Sequence, residues 1–357
     1  MFIFSHKQNK KYVDKLITYK SIIRQYFYWN VHIINLGDEM NKLYMGIDIG
    51  SISTKGVIID EYDNIIASSY LYTEGNPIKA VKNVVKNMRE CIDLNKYQVV
   101  SVGTTGSARK LIGTMLGANT IKNEITAHAV GTIRLYPNVR TIFEIGGQDS
   151  KITLVNNGIV SDYAMNTLCA AGTGAFISSL SKRLNVKIED VADVAFSSEN
   201  RVNIAARCTV FAESDLIHKI QAGYRKEDII AGVCRAVAMN YINNVAKGKK
   251  IISPIVFNGG VSKNVAVVKA FEEITGQKII VNKNSHLMGA FGIALMAKDS
   301  KKESIFNFDI DNLKLETKIV NCGRCSNNCE IVAVYKNDNL IDHYGNRRER
   351  GNLIKNM

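Results

Sequence analysis

With 357 residues, 46% of them apolar and 22% charged, the chain has the composition of an ordinary globular protein long enough for two lobes. No apolar run approaches the roughly 20 residues of a membrane helix, and the N-terminus lacks the order of a secretory signal; a cytoplasmic protein without a membrane partner is expected. The net charge of +13 divides into +4 over residues 1–45, +2 over 298–357 and +7 between them, without aromatic interleaving, so no nucleic-acid groove is expected.

Residues 1–43 read as an N-terminal extension from an upstream start codon, with a partner-docking arm as the alternative. The first strong strand signal is Tyr44–Ile49, interrupted by Asp48. It opens into Gly50-Ser51-Ile52-Ser53-Thr54-Lys55 and returns as Gly56–Ile59. A strand, a Gly/Ser/Thr turn and a returning strand predict a β-hairpin. Its tip offers backbone N–H groups, hydroxyls and a lysine to phosphate, and Asp48 points towards the same place, where a carboxylate can hold hydrated Mg²⁺. Ile65–Leu71 predicts the next strand, Ile78–Ile92 an amphipathic helix, and Gln98–Val102 a buried strand. That strand opens into a second small-residue turn containing Thr105, Gly106 and Ser107. Glu124 heads a further helix, in which His128 reads as a packed residue.

The pattern then repeats. Val139–Ile145 predicts a strand, Gly146-Gly147-Gln148-Asp149-Ser150-Lys151 a polar turn, and Ile152–Val155 a returning strand. Glu144 precedes the glycines as Asp48 does, about 95 residues earlier. Two such units predict a duplicated fold with both phosphate loops facing one cleft.

Seven cysteines, at 91, 169, 208, 234, 322, 325 and 329, point to metal, redox use or burial rather than disulfides. Cys169 lies in Asn166-Thr-Leu-Cys-Ala-Ala-Gly-Thr-Gly-Ala-Phe176, a glycine turn that runs into a helix pattern. Cys208 precedes a helix reaching about Gln221. A thiol at a helix N-terminus is favoured as thiolate, the form that binds metal or attacks as a nucleophile. Cys91 and Cys234 read as core, the latter within a long helix over Lys226–Val245. Ile255–Val261 predicts a buried strand ending in Gly259-Gly260, where a flat ring can lie against the backbone. A helix from about Asn264, a short strand at Ile279–Val281 and a closing helix over Leu287–Met296 follow.

With Asp48-Ile-Gly-Ser, Glu144-Ile-Gly-Gly-Gln-Asp and Asn258-Gly-Gly-Val in this order, the chain resembles the actin, heat-shock chaperone and sugar-kinase superfamily. Within it, Gly-Gly-Gln-Asp-Ser-Lys151, Cys169-Ala-Ala-Gly-Thr-Gly and Cys208-Thr-Val-Phe-Ala-Glu-Ser resemble the ATP-dependent activators of 2-hydroxyacyl-CoA dehydratases and their benzoyl-CoA reductase relatives. The resemblance implies an α/β fold of two ribonuclease-H-like lobes around a nucleotide cleft. It sets lobe I at about 44–136 plus a helix at 287–297, and lobe II at about 137–286. It implies ATP phosphate contacts at Ser51–Lys55 and Gly146–Gln148, the base at Gly259 and Gly260, and Mg²⁺ or its waters at Asp48 and Asp149. Glu124 falls where chaperone relatives hold an acid near the attacking water. Glu144 departs from the usual Asp, and its longer side chain shifts the position open to metal or water.

The same resemblance implies a homodimer with one [4Fe–4S] cluster, to which each chain gives Cys169 and Cys208. It also implies a flavodoxin or ferredoxin as electron donor, and a dehydratase or reductase component as acceptor. Without the resemblance, a small-molecule kinase and a non-redox nucleotide switch stay open. Residues 298–320 are polar and predict a linker. Cys322, Cys325 and Cys329 then open a further module over 321–357 with spacing that suits zinc or iron–sulfur. The fourth cysteine expected of longer activators is replaced by Arg348, with His343 as the alternative ligand.

Overall fold

The computed structural model describes residues 40–166, 170–206, 208–310, 315–323, 325–336 and 338–345. The expectations for residues 1–39, Cys169 and Arg348 fall outside these. Among the described residues no helix is long and apolar enough to cross a membrane.

The first sheet contains β1 (Asn41–Ile49), β2 (Ser53–Ile59), β3 (Ile65–Tyr72), β4 (Tyr97–Gly106) and β5 (Thr120–Ile121), in the order β3-β2-β1-β4-β5. Helices cover both of its faces. A Cβ on Gly56 would strike Met88 and Val84 of α1 (Pro77–Arg89), whereas one on Gly46 would strike Ala290 and Ala294 of a later helix. Pro77 and the Asn76 side chain, which accepts the Lys79 N–H at 3.0 Å, start α1. The short helix α2 (Arg109–Leu116) follows β4, and α3 (Glu124–Leu135) leads out of the lobe.

The second sheet repeats the first. Its strands β6 (Thr141–Ile145), β7 (Ser150–Asn156), β8 (Ile159–Asn166), β9 (Ile255–Asn258) and β10 (Ile279–Ile280) lie in the order β10-β9-β6-β7-β8. Between β8 and β9 come α4 (Gly174–Arg183), α5 (Val191–Phe196), α6 (Thr209–Gln221) and α7 (Lys226–Asn240), and α8 (Val265–Thr275) follows β9. Phe143, Tyr241, Phe257 and Phe271 form the aromatic centre of this lobe, with ring centroids 5.0–5.3 Å apart. The Tyr241 hydroxyl donates to the Lys151 carbonyl at 2.7 Å, tying that core to the hairpin beside the cleft.

The chain returns through α9 (Met288–Asp299), which covers the first sheet and crosses α3 at backbone contact. A Cβ on Gly292 would fall on the Ala127 carbonyl, and one on Gly131 would approach the Met288 carbonyl at 2.9 Å. Both lobes are thus joined by a helix pair packed through glycines.

Four expectations differ in detail. The helix expected over Lys226–Val245 ends at Asn240 and continues as one wide turn, Tyr241–Val245. Cys234 is buried, but Cys91 is exposed: α1 stops at Arg89, and the thiol of Cys91 donates to the Asn87 carbonyl at the surface. Strand β8 was not anticipated, because as an edge strand it is exposed on both faces and carries no apolar alternation. The stretch read as a linker is laid along the first sheet, with Ser304 and Phe306 donating to Val100 and Val99 carbonyls at 2.8 and 2.9 Å. Within it begins β11 (Leu315–Asn321), which pairs with β12 (Glu330–Lys336) and, through it, β13 (Asn339–Tyr344). This small sheet packs on the first lobe through Val334, Ile341 and Tyr344, and Thr114 of α2 donates to Asp342 at 2.5 Å.

Candidate functional site

The two hairpins present the same apparatus. In the first, Asp48 pairs in register with Lys55, and the lysine Nζ lies 3.2 Å from Asp48 Oδ2. In the second, Glu144 pairs with Lys151, whose Nζ lies 3.1 Å from Glu144 Oε1 and 2.9 Å from Asp149 Oδ1. Each loop is closed alike: Gly50 donates to the Ser53 carbonyl at 3.0 Å, and Gly146 to the Asp149 carbonyl at 2.9 Å. Side chains opposed across an antiparallel pair share a face, so the register alone puts each acid beside its lysine.

Symmetry extends to the strands that flank the hairpins. Gly106 at the end of β4 has φ +91°, and a Cβ there would meet the Ile49 carbonyl and, at 2.7 Å, Asp48 Oδ1. Gly259, just past β9, has φ +89° and abuts the Ile145 carbonyl in the same way. Only glycine combines that backbone region with so close an approach. The residues before these glycines, Thr105 and Asn258, each bury a side-chain oxygen without a protein partner among the described residues. Ser150 Oγ is buried and unpartnered too. Buried polar atoms without a protein partner beside the two loops fit a polar ligand that supplies one.

Charge is concentrated at the floor. Burial alone would raise the Asp48 carboxyl, but Lys55, His128 and Lys151 outweigh it and hold its pKa below the ordinary value. Burial alone would lower the Lys151 ammonium, yet Glu144 and Asp149 outweigh it and hold the group protonated. Glu124 at the head of α3 lies 3.5 Å from Arg109, which donates to the Gly106 carbonyl at 2.9 Å. His128, one turn further along α3, brings Nε2 to 3.5 Å from Glu144 Oε1. A Cβ on Gly289 would lie 2.7 Å from both His128 Nε2 and Asp48 Oδ2. The longer side chain at position 144 therefore reaches towards both a buried histidine and a buried lysine.

The remaining candidates have distinct surroundings. Ser51 and Gln148 are exposed at the loop tips, and Ile52 lies against Gly147, so the two loops touch across the cleft. Ser53 is buried at the start of β2. The Thr54 hydroxyl shares a hydrogen bond with Thr73 at 3.0 Å, and Thr73 donates to the Gly50 carbonyl at 2.8 Å. The Ser107 hydroxyl donates to the Ile49 carbonyl. Gly260 is exposed beside the Tyr70 hydroxyl, and the Tyr70 ring stands 5.7 Å from that of His286. Thr73, Tyr70 and His286 went unnoticed in the sequence, since each reaches the cleft only through tertiary contact. His128 had a signal, its four-residue spacing from Glu124.

Cys208 is the exposed N-cap residue of α6, and Val210 and Phe211 beside it are 66% and 63% exposed. Cys169 lies outside the described residues, but the turn after it is fastened to the second loop: Gly174 and Ala175 N–H groups donate to the Gly146 and Gly147 carbonyls at 2.9 and 2.8 Å. Glu213 of α6 accepts from Ser179 at 2.9 Å and Arg183 at 3.0 Å, clasping α4 to α6. Cys322, Cys325 and Cys329 lie on the β11–β12 hairpin; among the described residues no group of three or more His, Cys, Asp or Glu is placed to hold a metal.

The (R)-2-hydroxyglutaryl-CoA dehydratase activating ATPase of Acidaminococcus fermentans is 36% identical over 261 residues, spanning 72% of this chain and 98% of the relative. The 2-hydroxyisocaproyl-CoA dehydratase activator of Clostridioides difficile is 35% identical, spanning 73% and 96%. A solved structure of the Clostridium difficile activator with bound ADPNP superposes with a TM-score of 0.67 at 32% identity, covering 72% of this chain and 96% of that one. Residues 45–297, which contain both hairpins, both flanking glycines and the helix pair between the lobes, match the model of one family. This chain belongs to the BadF/BadG/BcrA/BcrD ATPase family.

Proposed function

We propose that the chain hydrolyses ATP to activate a 2-hydroxyacyl-CoA dehydratase-type partner by passing it a low-potential electron. In this reading the phosphates lie between the loops at Gly50–Lys55 and Gly146–Gln148, where Lys55 and Lys151 balance their charge. Asp48 and Asp149 hold Mg²⁺ or its waters, Glu124 sits by the attacking water, and Glu144 is oriented by Lys151. Thr105 and Asn258 supply unpartnered oxygens to the ligand, and Gly259 and Gly260 leave room for the base.

For iron, a cubane needs about four thiolates, and each chain offers two cysteines: Cys208 at the head of α6 and Cys169, whose sequence context is a glycine turn before a helix pattern. Two copies related by a two-fold axis supply four. The exposed thiol of Cys208 and the exposed Val210 and Phe211 suit such an interface. When bound there, a [4Fe–4S] cluster supplies a one-electron reductant, refilled by flavodoxin or ferredoxin.

The observation that carries this reading is the pair of hydrogen bonds from Gly174 and Ala175 to the Gly146–Gly147 loop. A phosphate drawn into that loop pulls on α4, and the Glu213 clasp passes the movement to α6 and Cys208. ATP drives the movement only through different affinities for the two lobe arrangements. The test is protein purified without oxygen. The wild type should be a brown dimer holding about four irons per two chains, and Cys208→Ala should lose the iron while still binding an ATP analogue. Retention of iron by that variant overturns the ligand assignment. A colourless wild type that phosphorylates a small acceptor overturns the function.

A further inference from the structure

The hairpin between β11 and β12 carries three cysteines that the nucleotide site does not use. Asn321 pairs with Glu330 on the last rung of the ladder. Just beyond the ladder, the Cys322 N–H donates to the Cys329 carbonyl at 2.9 Å, holding the two backbones side by side. Residues opposed across an antiparallel pair have Cα atoms about 4.5–5.5 Å apart, inside the roughly 4.4–6.8 Å span of disulfides. Their side chains leave the sheet on the same face.

The neck beside the pair is fixed by its own bonds. Gly323, at φ +62°, donates to Asn328 Oδ1 at 3.1 Å, and Asn328 donates to the Cys325 carbonyl at 3.0 Å. All three cysteines are partly exposed, so a small reagent can reach the thiols. The metal expected from their spacing lacks a donor set, since no three-ligand group exists among the described residues. His343, the alternative ligand, pairs with Ala333. That rung lies four residues up β12 from Cys329, about 13 Å along the strand.

We propose that Cys322 and Cys329 form a reversible thiol–disulfide pair and not half of a metal site. One thiolate of the pair attacks a low-molecular-weight disulfide such as oxidised glutathione, giving a mixed disulfide and releasing one glutathione thiolate. The second cysteine attacks the mixed disulfide at the protein sulfur and releases the other. Two electrons and the two thiol protons leave the protein, and the small disulfide becomes two thiols. The bond closes a short loop, so its entropic contribution to stability lies towards the low end for a disulfide. Its state follows the surrounding redox poise, as expected of a switch rather than a staple.

The test uses the folded full-length chain exposed to oxidised glutathione, quenched with acid, alkylated, digested and read by mass spectrometry. The expected product links Cys322 to Cys329, leaves Cys325 alkylated, and reverts with dithiothreitol. Cys325→Ser should keep the link, and Cys329→Ser should stop at a glutathione adduct on Cys322. A link through Cys325, or none, overturns the proposal. So does one equivalent of Zn²⁺ that protects the three thiols from alkylation and is lost in Cys325→Ser.

Discussion

Replacing Lys151 with Met tests how the buried charges of the second hairpin depend on one another. The lysine side chain is 2% exposed and contacts two acids, at 3.1 Å from Glu144 and 2.9 Å from Asp149. Asp149 is 39% exposed and regains water when the lysine is lost; Glu144, at 9%, does not. One acid is therefore stranded, and among the described residues its remaining ion-pair partner is His128 at 3.5 Å. Breaking a buried pair from one side costs about 3–5 kcal/mol, and the partial rescue by His128 puts Lys151→Met near the lower bound. At about 1.3 °C per kcal/mol for a chain of this size, the melting temperature should fall by about 4 °C. Adding Glu144→Gln removes the stranded charge, so the double variant should recover about 2 kcal/mol relative to the sum of the single losses. The assay is thermal and urea unfolding of nucleotide-free protein at neutral pH, run as a double-mutant cycle. Additivity within about 0.5 kcal/mol would refute the pairing.

At the helix crossing, Gly292→Ala drives a methyl into the Ala127 carbonyl. Backbone cannot rotate aside, so a loss of about 3 kcal/mol is expected in thermal unfolding; a loss below 1 kcal/mol would mean the helices part easily. Glu213→Ala breaks the clasp to Ser179 and Arg183. Arg183 is 48% exposed, so stability should fall by less than about 1 kcal/mol, while partner activation should fall much further than ATP turnover; equal losses would dismiss the coupling route. Burial first, then Lys263 and Lys55, lower the His286 pKa to about 4. The unfolded chain therefore binds the extra proton below its ordinary value near 6.5, and stability falls as pH drops from there to about 4. His286→Gln should flatten that slope in melting curves, and an unchanged slope would put the titration elsewhere.

The local parts of this protein were legible in its residues. Asp48-Ile-Gly-Ser and Glu144-Ile-Gly-Gly are strand-and-turn signals complete within a dozen positions, and their repeat after about 95 residues announced a doubled fold. Cys208 before its helix was likewise a local signal. Sheet register, helix crossing and edge exposure were not legible, because each depends on chain segments far apart in sequence. Register seats Lys151 between Glu144 and Asp149, and the crossing of α3 and α9 brings His128 to the acids. Edge position hid β8, and beyond α9 the described strands β11, β12 and β13 form a small sheet. The three C-terminal cysteines show the division most sharply. Their spacing suggested a metal, but a backbone hydrogen bond joins two of them at the hairpin neck, and His343 pairs four residues up the strand from Cys329. Sequence specified which chemistry was available, and tertiary packing decided which groups stand close enough to use it.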